Sequence, residues 1–268
     1  MDTTTDWQGR RVVITGGSSG IGLELARQLA GQGARLLLAG RRPAPLAAAV
    51  AALPGAAAVQ ADVTDPAGRA ALLDAAMARL GGVDVLVNNA GGVRAGRLED
   101  MTEAELRAMV EVDLLAPILL TRLFLPALRA SGDALVVNVA SGLAQMGVPF
   151  YAGYAAAKAG LARFGEAMRR ELKGEGVHVL TVFPGATDTP MMATSRADAG
   201  LGFALQPVAE VVAAIVQGMR DGAFEVVRGG AARQAMLLRN RDDPAGLDAH
   251  FLALKPRLEA AVRDHRAL

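Results

Sequence analysis

Residues 15–22 read Thr15-Gly16-Gly17-Ser18-Ser19-Gly20-Ile21-Gly22, between the β-branched run Val12-Val13-Ile14 and a segment with Ile21, Leu25 and Leu29 at fourfold spacing. A strand that turns through glycines straight into a helix opens a βαβ unit. Glycines permit the tight turn and let the backbone approach a pyrophosphate, and the helix N-terminus offers unpaired N–H groups and a positive dipole end. The stretch therefore predicts a helix over 20–32 headed by a phosphate cradle made of Gly16, Ser18, Ser19, Gly20, Ile21 and Gly22.

Outward from this turn, short apolar runs alternate with longer helical patterns. Strands are predicted at 11–15, 35–39, 57–60, 83–87, 134–139, 177–183 and 224–227. Several are continuous apolar runs, as expected for strands covered on both faces. The fold class that follows is α/β, a Rossmann-type doubly wound parallel sheet of about seven strands with helices on both faces. The Ala-rich region 45–58 reads as a helix ended by Pro54-Gly55. Beyond Gly229-Gly230 the pattern changes to a mixed helical tail, with a charged turn expected at Arg239-Asn240-Arg241-Asp242-Asp243-Pro244. Residues 1–230 are accordingly expected to form one dinucleotide-binding domain, and 231–268 a helical extension of it.

The bulk numbers narrow the function. With 28 Lys+Arg against 27 Asp+Glu the net charge is +1, so no long-range field favours nucleic acid or an anionic membrane, and a small-molecule partner is expected. Cys is absent and the three His residues (His178, His250, His265) show no ligand spacing, so no metal site is expected. The start Met1-Asp2-Thr3-Thr4-Thr5-Asp6 is polar and acidic, without the apolar run of an export signal, and the apolar stretch 114–128 is broken by Pro117, Arg122 and Pro126. A cytoplasmic protein is the expectation.

Dinucleotide sites commonly place an acidic residue about twenty positions beyond the glycines, where it binds the ribose hydroxyls of NAD. Here strand two ends in Ala39-Gly40-Arg41-Arg42. Gly in the carboxylate's place and two adjacent guanidinium groups favour NADP over NAD, because Arg pairs a phosphate bidentately. The competing reading leaves Arg41 and Arg42 as solvated loop charges.

With Asn88-Asn89-Ala90-Gly91 after the fourth strand and Tyr154-Ala155-Ala156-Ala157-Lys158 preceded by Ser141, the ordered set resembles the short-chain dehydrogenase/reductase family over about residues 9–228. The resemblance implies an oxidoreductase that interconverts a ketone or aldehyde with an alcohol, with Ser141, Tyr154 and Lys158 as catalytic residues. It further implies that Asn89, Ala90 and Gly91 contact the cofactor, that Asp62 and Val63 flank the adenine, that Asn88 braces the strand-four turn, and that Pro184, Gly185, Thr187 and Thr189 hold the nicotinamide carboxamide.

The residue types suit that chemistry independently. Tyr154 and Lys158 are four apart on a helix and so share a face. A phenol ionises near pH 10, and an ammonium together with a cationic nicotinamide ring is expected to lower it by about two or three pH units. Ser141 can then fix the carbonyl oxygen. Tyr151 is a rival phenol without a lysine four positions on, since residue 155 is Ala.

Two departures from the family pattern stand out. Many members carry an Asn on the helix before strand five, where it helps a water relay reach the lysine; Asp113 occupies that place here. It either faces Lys158 or is an ordinary polar helix residue. The long tail also departs, which leaves the order of an expected homo-oligomer, dimer or tetramer, open. The substrate frame, 92–97, 143–151 and 191–205, supplies Val93, Leu143, Met146, Val148, Phe150, Met191, Met192, Leu201 and Phe203 and suggests an apolar ketone or secondary alcohol. Arg94 and Arg97 are either contacts for an acidic group or solvated charges. The rival functions are a non-catalytic NADP-binding sensor or scaffold of the same fold, and an epimerase or dehydratase using nicotinamide transiently.

Overall fold

The first strand, β1 (Arg11–Thr15), has no exposed residue because it lies in the interior of a sheet covered on both faces. The computed structural model describes residues 7–268; the polar start Met1–Asp6, read above as lacking an export signal, lies outside the described residues. From β1 the chain runs through α1 (Gly20–Ala30), β2 (Arg35–Gly40), α2 (Pro43–Ala51), β3 (Ala57–Gln60), α3 (Pro66–Leu80) and β4 (Val85–Asn88). It continues through β5 (Val93–Arg94), α4 (Glu103–Val110), α5 (Ala116–Ser131), β6 (Ala134–Val139), α6 (Ala152–Glu171) and β7 (Val177–Phe183). The last elements are α7 (Val208–Arg220), β8 (Glu225–Val227), α8 (Gly230–Asp242), α9 (Pro244–Val262) and β9 (Arg266–Ala267).

Seven strands form one parallel sheet in the order β3-β2-β1-β4-β6-β7-β8. The order reverses between β1 and β4, and at such a switch point the loops leaving the strand ends part to leave a crevice. All seven predicted strands are present, with ends that move by one or two residues. One face of the sheet packs Leu25, Leu29, Val212 and Ile215 from α1 and α7, and the other packs Leu72, Leu120, Phe124 and Met168 from α3, α5 and α6. Asp84, just before β4, is bound by Arg11 and Ser131 and ties three elements together at the opposite end of the sheet.

The structure corrects several expectations. The Ala-rich helix is shorter than predicted, and Ala57 already belongs to β3. The charged segment read as a turn is helical through Asp242; the break falls at Asp243, because Pro244 restricts the residue before it. Between α4 and α5 lies a π-helical turn, Glu111–Leu115, which the sequence pattern does not reveal. Pro117 has no N–H to offer the carbonyl four residues back, and a wider turn is one way a helix accommodates the loss. The two-residue strands β5 and β9 pair antiparallel, Val93 with Ala267 and Arg94 with Arg266, so the tail folds back onto the loop that follows β4. Its residues Leu247, Phe251, Leu258 and Val262 join Val93, Met109, Tyr151 and Tyr154 in a third apolar cluster. Among the described residues no helix is long and apolar enough to cross a membrane.

Candidate active site

The crevice at the switch point is a cavity of about 380 Å³. At one end it is lined by Gly16, Ser19, Gly20, Ile21, Asn89, Ala90 and Gly91, and on its long wall by Ser141, Tyr154, Lys158, Pro184, Gly185, Thr187 and Thr189. The Gly-rich turn is held from below. Asn89 Nδ2 donates to the carbonyls of Thr15 and Gly16 at 2.9 and 3.2 Å, and the buried Thr15 hydroxyl accepts from the N–H groups of Asn89 and Ala90, each at 3.0 Å. Gly22 lies beneath the loop, where a Cβ would meet Gly16 O and Asn89 Nδ2 at 2.5 Å. Gly20 sits at φ +54° and faces the cavity, with only the Thr189 side chain near a Cβ placed there. Ser19 heads α1 without a side-chain cap, so the first N–H groups of the helix point into an open cradle. That is the shape and polarity a pyrophosphate needs.

Ser18 does not line the cavity; its hydroxyl lies beside Gly40 at the end of β2. Arg41 borders an adjoining hollow with Thr64, Gly91 and Gly92, and both it and Arg42, at the head of α2, are exposed. Asp62 accepts from the N–H and hydroxyl of Thr64 at 2.9 and 2.7 Å. Burial works against its charge, but Thr64 and then the Arg41 guanidinium hold its carboxyl below the usual range. Val63 beside it is buried. Asn88 braces the end of β4 by donating to Thr121 Oγ1 and Asn138 Oδ1.

The titratable groups converge on the other wall. Lys158 is 4% exposed and Asp113 is fully buried; Lys158 Nζ lies 3.1 Å from Asp113 Oδ1 and donates to the Val139 carbonyl at 3.0 Å. Asp113 thus faces the lysine, from the π-helical turn, and also accepts the Gly92 N–H at 3.1 Å. Burial opposes the Lys158 ammonium, but Asp113 and the neighbouring phenol outweigh it and hold the proton more tightly than on a free lysine. Burial pushes the Asp113 carboxyl up, and the ammonium pulls it part of the way back. Lys158 Nζ is 5.9 Å from the centre of the Tyr154 ring. Burial raises the Tyr154 phenol above its ordinary value; Lys158 lowers it, Asp113 raises it and a hydrogen bond with Ser141 lowers it. The lowering expected from Lys158 is present but is outweighed by the protein's own burial. Ser141, which follows β6, also accepts the Leu143 N–H at 3.1 Å, which fixes its hydroxyl at the cavity wall.

Tyr151, the rival phenol, is buried against Phe203 and His265, and burial raises it well above its ordinary value. Of the residues expected to frame a substrate, Val93, Leu143, Val148, Met191, Met192, Leu201 and Phe203 line the cavity, whereas Met146 and Phe150 pack behind it. Arg94 and Arg97 do not line the cavity: Arg97 is an exposed loop charge paired with Glu259, and Arg94 is partly buried against Glu105. Sequence reasoning missed five cavity residues of the tail, Ala232, Arg233, Met236, Phe251 and His265, and also Arg228. Their one local signal is the Gly229-Gly230 turn after the last strand, which sends α8 back over the crevice.

A parallel sheet with its Gly-rich turn at the switch point and a tyrosine–lysine pair across the cavity defines a nicotinamide-dinucleotide-binding oxidoreductase of Rossmann type. A family model described as short chain dehydrogenase matches residues 10–200, and the chain belongs to the short-chain dehydrogenase/reductase family, enzymes acting on CH–OH and keto groups. It is 36% identical over 228 residues to the ketoacyl reductase HetN of a Nostoc species, covering 83% of this chain and 79% of that protein. It is 31% identical over 224 residues to the 3-oxoacyl-[acyl-carrier-protein] reductase FabG of Escherichia coli, covering 82% of this chain and 88% of that one. The crystal structure of the 3-ketoacyl-(acyl-carrier-protein) reductase from Brucella melitensis complexed with NADH superposes with a TM-score of 0.75 at 26% identity, covering 84% of this chain and 98% of the other.

Proposed function

We propose that this chain is an NADP(H)-dependent carbonyl reductase that interconverts an apolar ketone or aldehyde and its alcohol, with Tyr154 as the acid/base group. The observation that carries this reading is the meeting of Tyr154, Lys158 and Ser141, with Asp113 behind the lysine, on one wall of a cavity whose other end is the Gly-rich cradle. The N–H groups at the head of α1 would hold the pyrophosphate, with Asn89, Ala90 and Gly91 beside it, and Pro184, Gly185, Thr187 and Thr189 would hold the carboxamide end. Arg41, with Arg42 next to it and Gly40 in the place of a ribose-binding carboxylate, favours the 2′-phosphate of NADP. Bound there, the reduced nicotinamide supplies the hydride.

Tyr154 gives its phenolic proton to the substrate oxygen as negative charge builds there, and Ser141 donates a hydrogen bond that fixes the same oxygen. Lys158 stabilises the phenolate that remains, and Asp113 keeps the lysine charged. Because burial holds the phenol protonated at neutral pH, the resting site is a proton donor, which favours reduction; oxidation of the alcohol gains as pH rises. The test is a ketone and aldehyde panel followed by NADPH absorbance, with Tyr154→Phe as the control. Removing the acid should lower kcat by about 10²–10⁴-fold while NADPH still binds. Tight NADPH binding with no turnover on any carbonyl would favour a sensor or scaffold instead, and undiminished turnover in the variant would overturn the tyrosine mechanism.

A further inference from the structure

Strand β8 ends at Val227 and delivers Arg228, and two glycines at positive φ, Gly229 at +152° and Gly230 at +66°, then turn the chain sharply into α8. A Cβ on Gly229 would strike the Arg233 Cβ and Cγ at 2.8 Å, so the turn seats Arg233 against its own glycine and aims it back into the cavity. There its guanidinium donates to the carbonyl of Gly142, the residue that follows Ser141. The Nε groups of Arg233 and Arg228 are both buried without a hydrogen-bond partner.

The charge balance of the cavity is lopsided. Its lining contains Lys158, Arg228 and Arg233 and no Asp or Glu. Lys158 is compensated by Asp113 from behind. No ion pair among the described residues includes Arg228 or Arg233, whereas Arg94, Arg97, Arg239 and Arg241 each have a carboxylate. Burial accordingly weakens the hold of Arg233 on its proton, with nothing acting in the opposite direction. A partly buried guanidinium without a counter-ion is left short of charge compensation, and a planar fork of donors is the group that best matches a carboxylate. Leu143, Val148, Met191, Leu201, Phe203 and Met236 supply apolar surface to the same lining.

We propose that Arg233, with Arg228 beside the same cavity, is the anion-binding end of the substrate pocket, so that the substrate is an apolar keto acid or the corresponding hydroxy acid. This rests on the reductase reading for the word substrate, but the anion site stands on its own geometry. The site lies past the point where the family match ends, at residue 200.

Two measurements separate the claims. The first titrates the NADP-loaded protein calorimetrically with octanoate and with methyl octanoate. The second compares kcat/KM with NADPH for pairs of keto acids and their methyl esters. Octanoate should bind at least about tenfold more tightly than its ester, the scale of one charge-assisted hydrogen bond, and each keto acid should be preferred by a similar factor. Arg233→Met should abolish both preferences, and Arg233→Lys, which keeps the charge without the fork, should restore part of them. Esters reduced as well as acids, with no preference for octanoate, would overturn the anion site and leave the reductase standing. Octanoate bound in an Arg233-dependent way with no carbonyl reduced would overturn the reductase and leave the anion site. An Arg233→Met protein that loses NADPH affinity while keeping its acid preference would overturn the proposal and assign the arginine to the cofactor. The wild-type comparison decides the matter even where a variant does not fold.

Discussion

Replacing Asp113 by Asn removes one negative charge from behind the site and keeps the shape of the side chain. In the protein Asp113 touches Lys158 at 3.1 Å, and the lysine nitrogen is 5.9 Å from the centre of the Tyr154 ring. At an effective dielectric of about 20, a buried unit charge within several ångströms contributes on the order of a few kcal/mol, enough to show in a titration. Asp113 raises the phenol, so its loss lowers it. The limb of the pH profile that reports deprotonated Tyr154 in alcohol oxidation should move to lower pH. Reduction at neutral pH needs the protonated phenol, which the variant still has, so turnover in that direction should be intact or raised. The opposing cost is structural: stripping one partner from a buried pair costs about 3–5 kcal/mol when the survivor is left charged and unpaired. Asn softens this, since its amide oxygen can still accept from Lys158 and from the Gly92 N–H. The assay is kcat/KM for oxidation across the pH range, with a denaturant titration of the same protein. A large loss of activity with unchanged folding, or a limb that moves to higher pH because Lys158 has released its proton, would refute the reasoning.

Three further outcomes are expected. Arg41→Ala should weaken NADPH by about 10–100-fold, the worth of one or two hydrogen bonds to a charged group, and leave NADH nearly unchanged; equal losses for both cofactors, read by nicotinamide fluorescence, would remove Arg41 from the 2′-phosphate. Arg11 and Ser131 overcome burial and hold the Asp84 carboxyl at about 2, below its unfolded value, so its contribution is present above about pH 4 and is lost as pH falls toward 2. Asp84→Asn should therefore cost on the order of 1–2 kcal/mol at pH 7 and progressively less below pH 4, and urea titrations showing a constant deficit would contradict this. Gly22→Ala places a Cβ 2.5 Å from Gly16 O and Asn89 Nδ2 and should cost about 1–3 kcal/mol of stability, with a smaller stabilising shift on adding NADPH in thermal melts.

What could be read in advance was whatever is local in sequence. The strands announce themselves because a strand covered on both faces is apolar without alternation, and Tyr154 and Lys158 share a helix face whatever the rest of the fold does. Asp113 was conspicuous as a departure, but its distance from Lys158 depends on the π-helical turn and on α6 packing beside it, which no local pattern encodes. Arginines were the least legible. Arg94 and Arg97 lay in the expected substrate frame and turned out to be paired with Glu105 and Glu259, the second of these in α9. Arg233 carries no local mark in the helical tail, and its place in the cavity wall depends on Gly229 and Gly230 turning α8 over the cavity. The strands β5 and β9 are two residues each, too short for any periodicity to show.

The arrangement of cations separates two demands that one cavity makes. In the proposed mechanism Lys158 must stay charged while the phenol beside it gives up a proton, and a buried ammonium does so only with a counter-ion supplied by the protein; Asp113, placed behind it, leaves the substrate side clear. A cation that binds a substrate anion must instead lack a counter-ion of its own, because an internal carboxylate would compete with the ligand for the same donors. Arg233 and Arg228 meet that condition and Lys158 does not. The distinction also follows the chain. Asp113 and Lys158 lie within the matched family segment, 10–200, whereas both arginines lie beyond it, Arg228 at the end of the edge strand β8 and Arg233 on α8, outside the sheet. On this division the common core carries the proton chemistry and the tail selects what is brought to it.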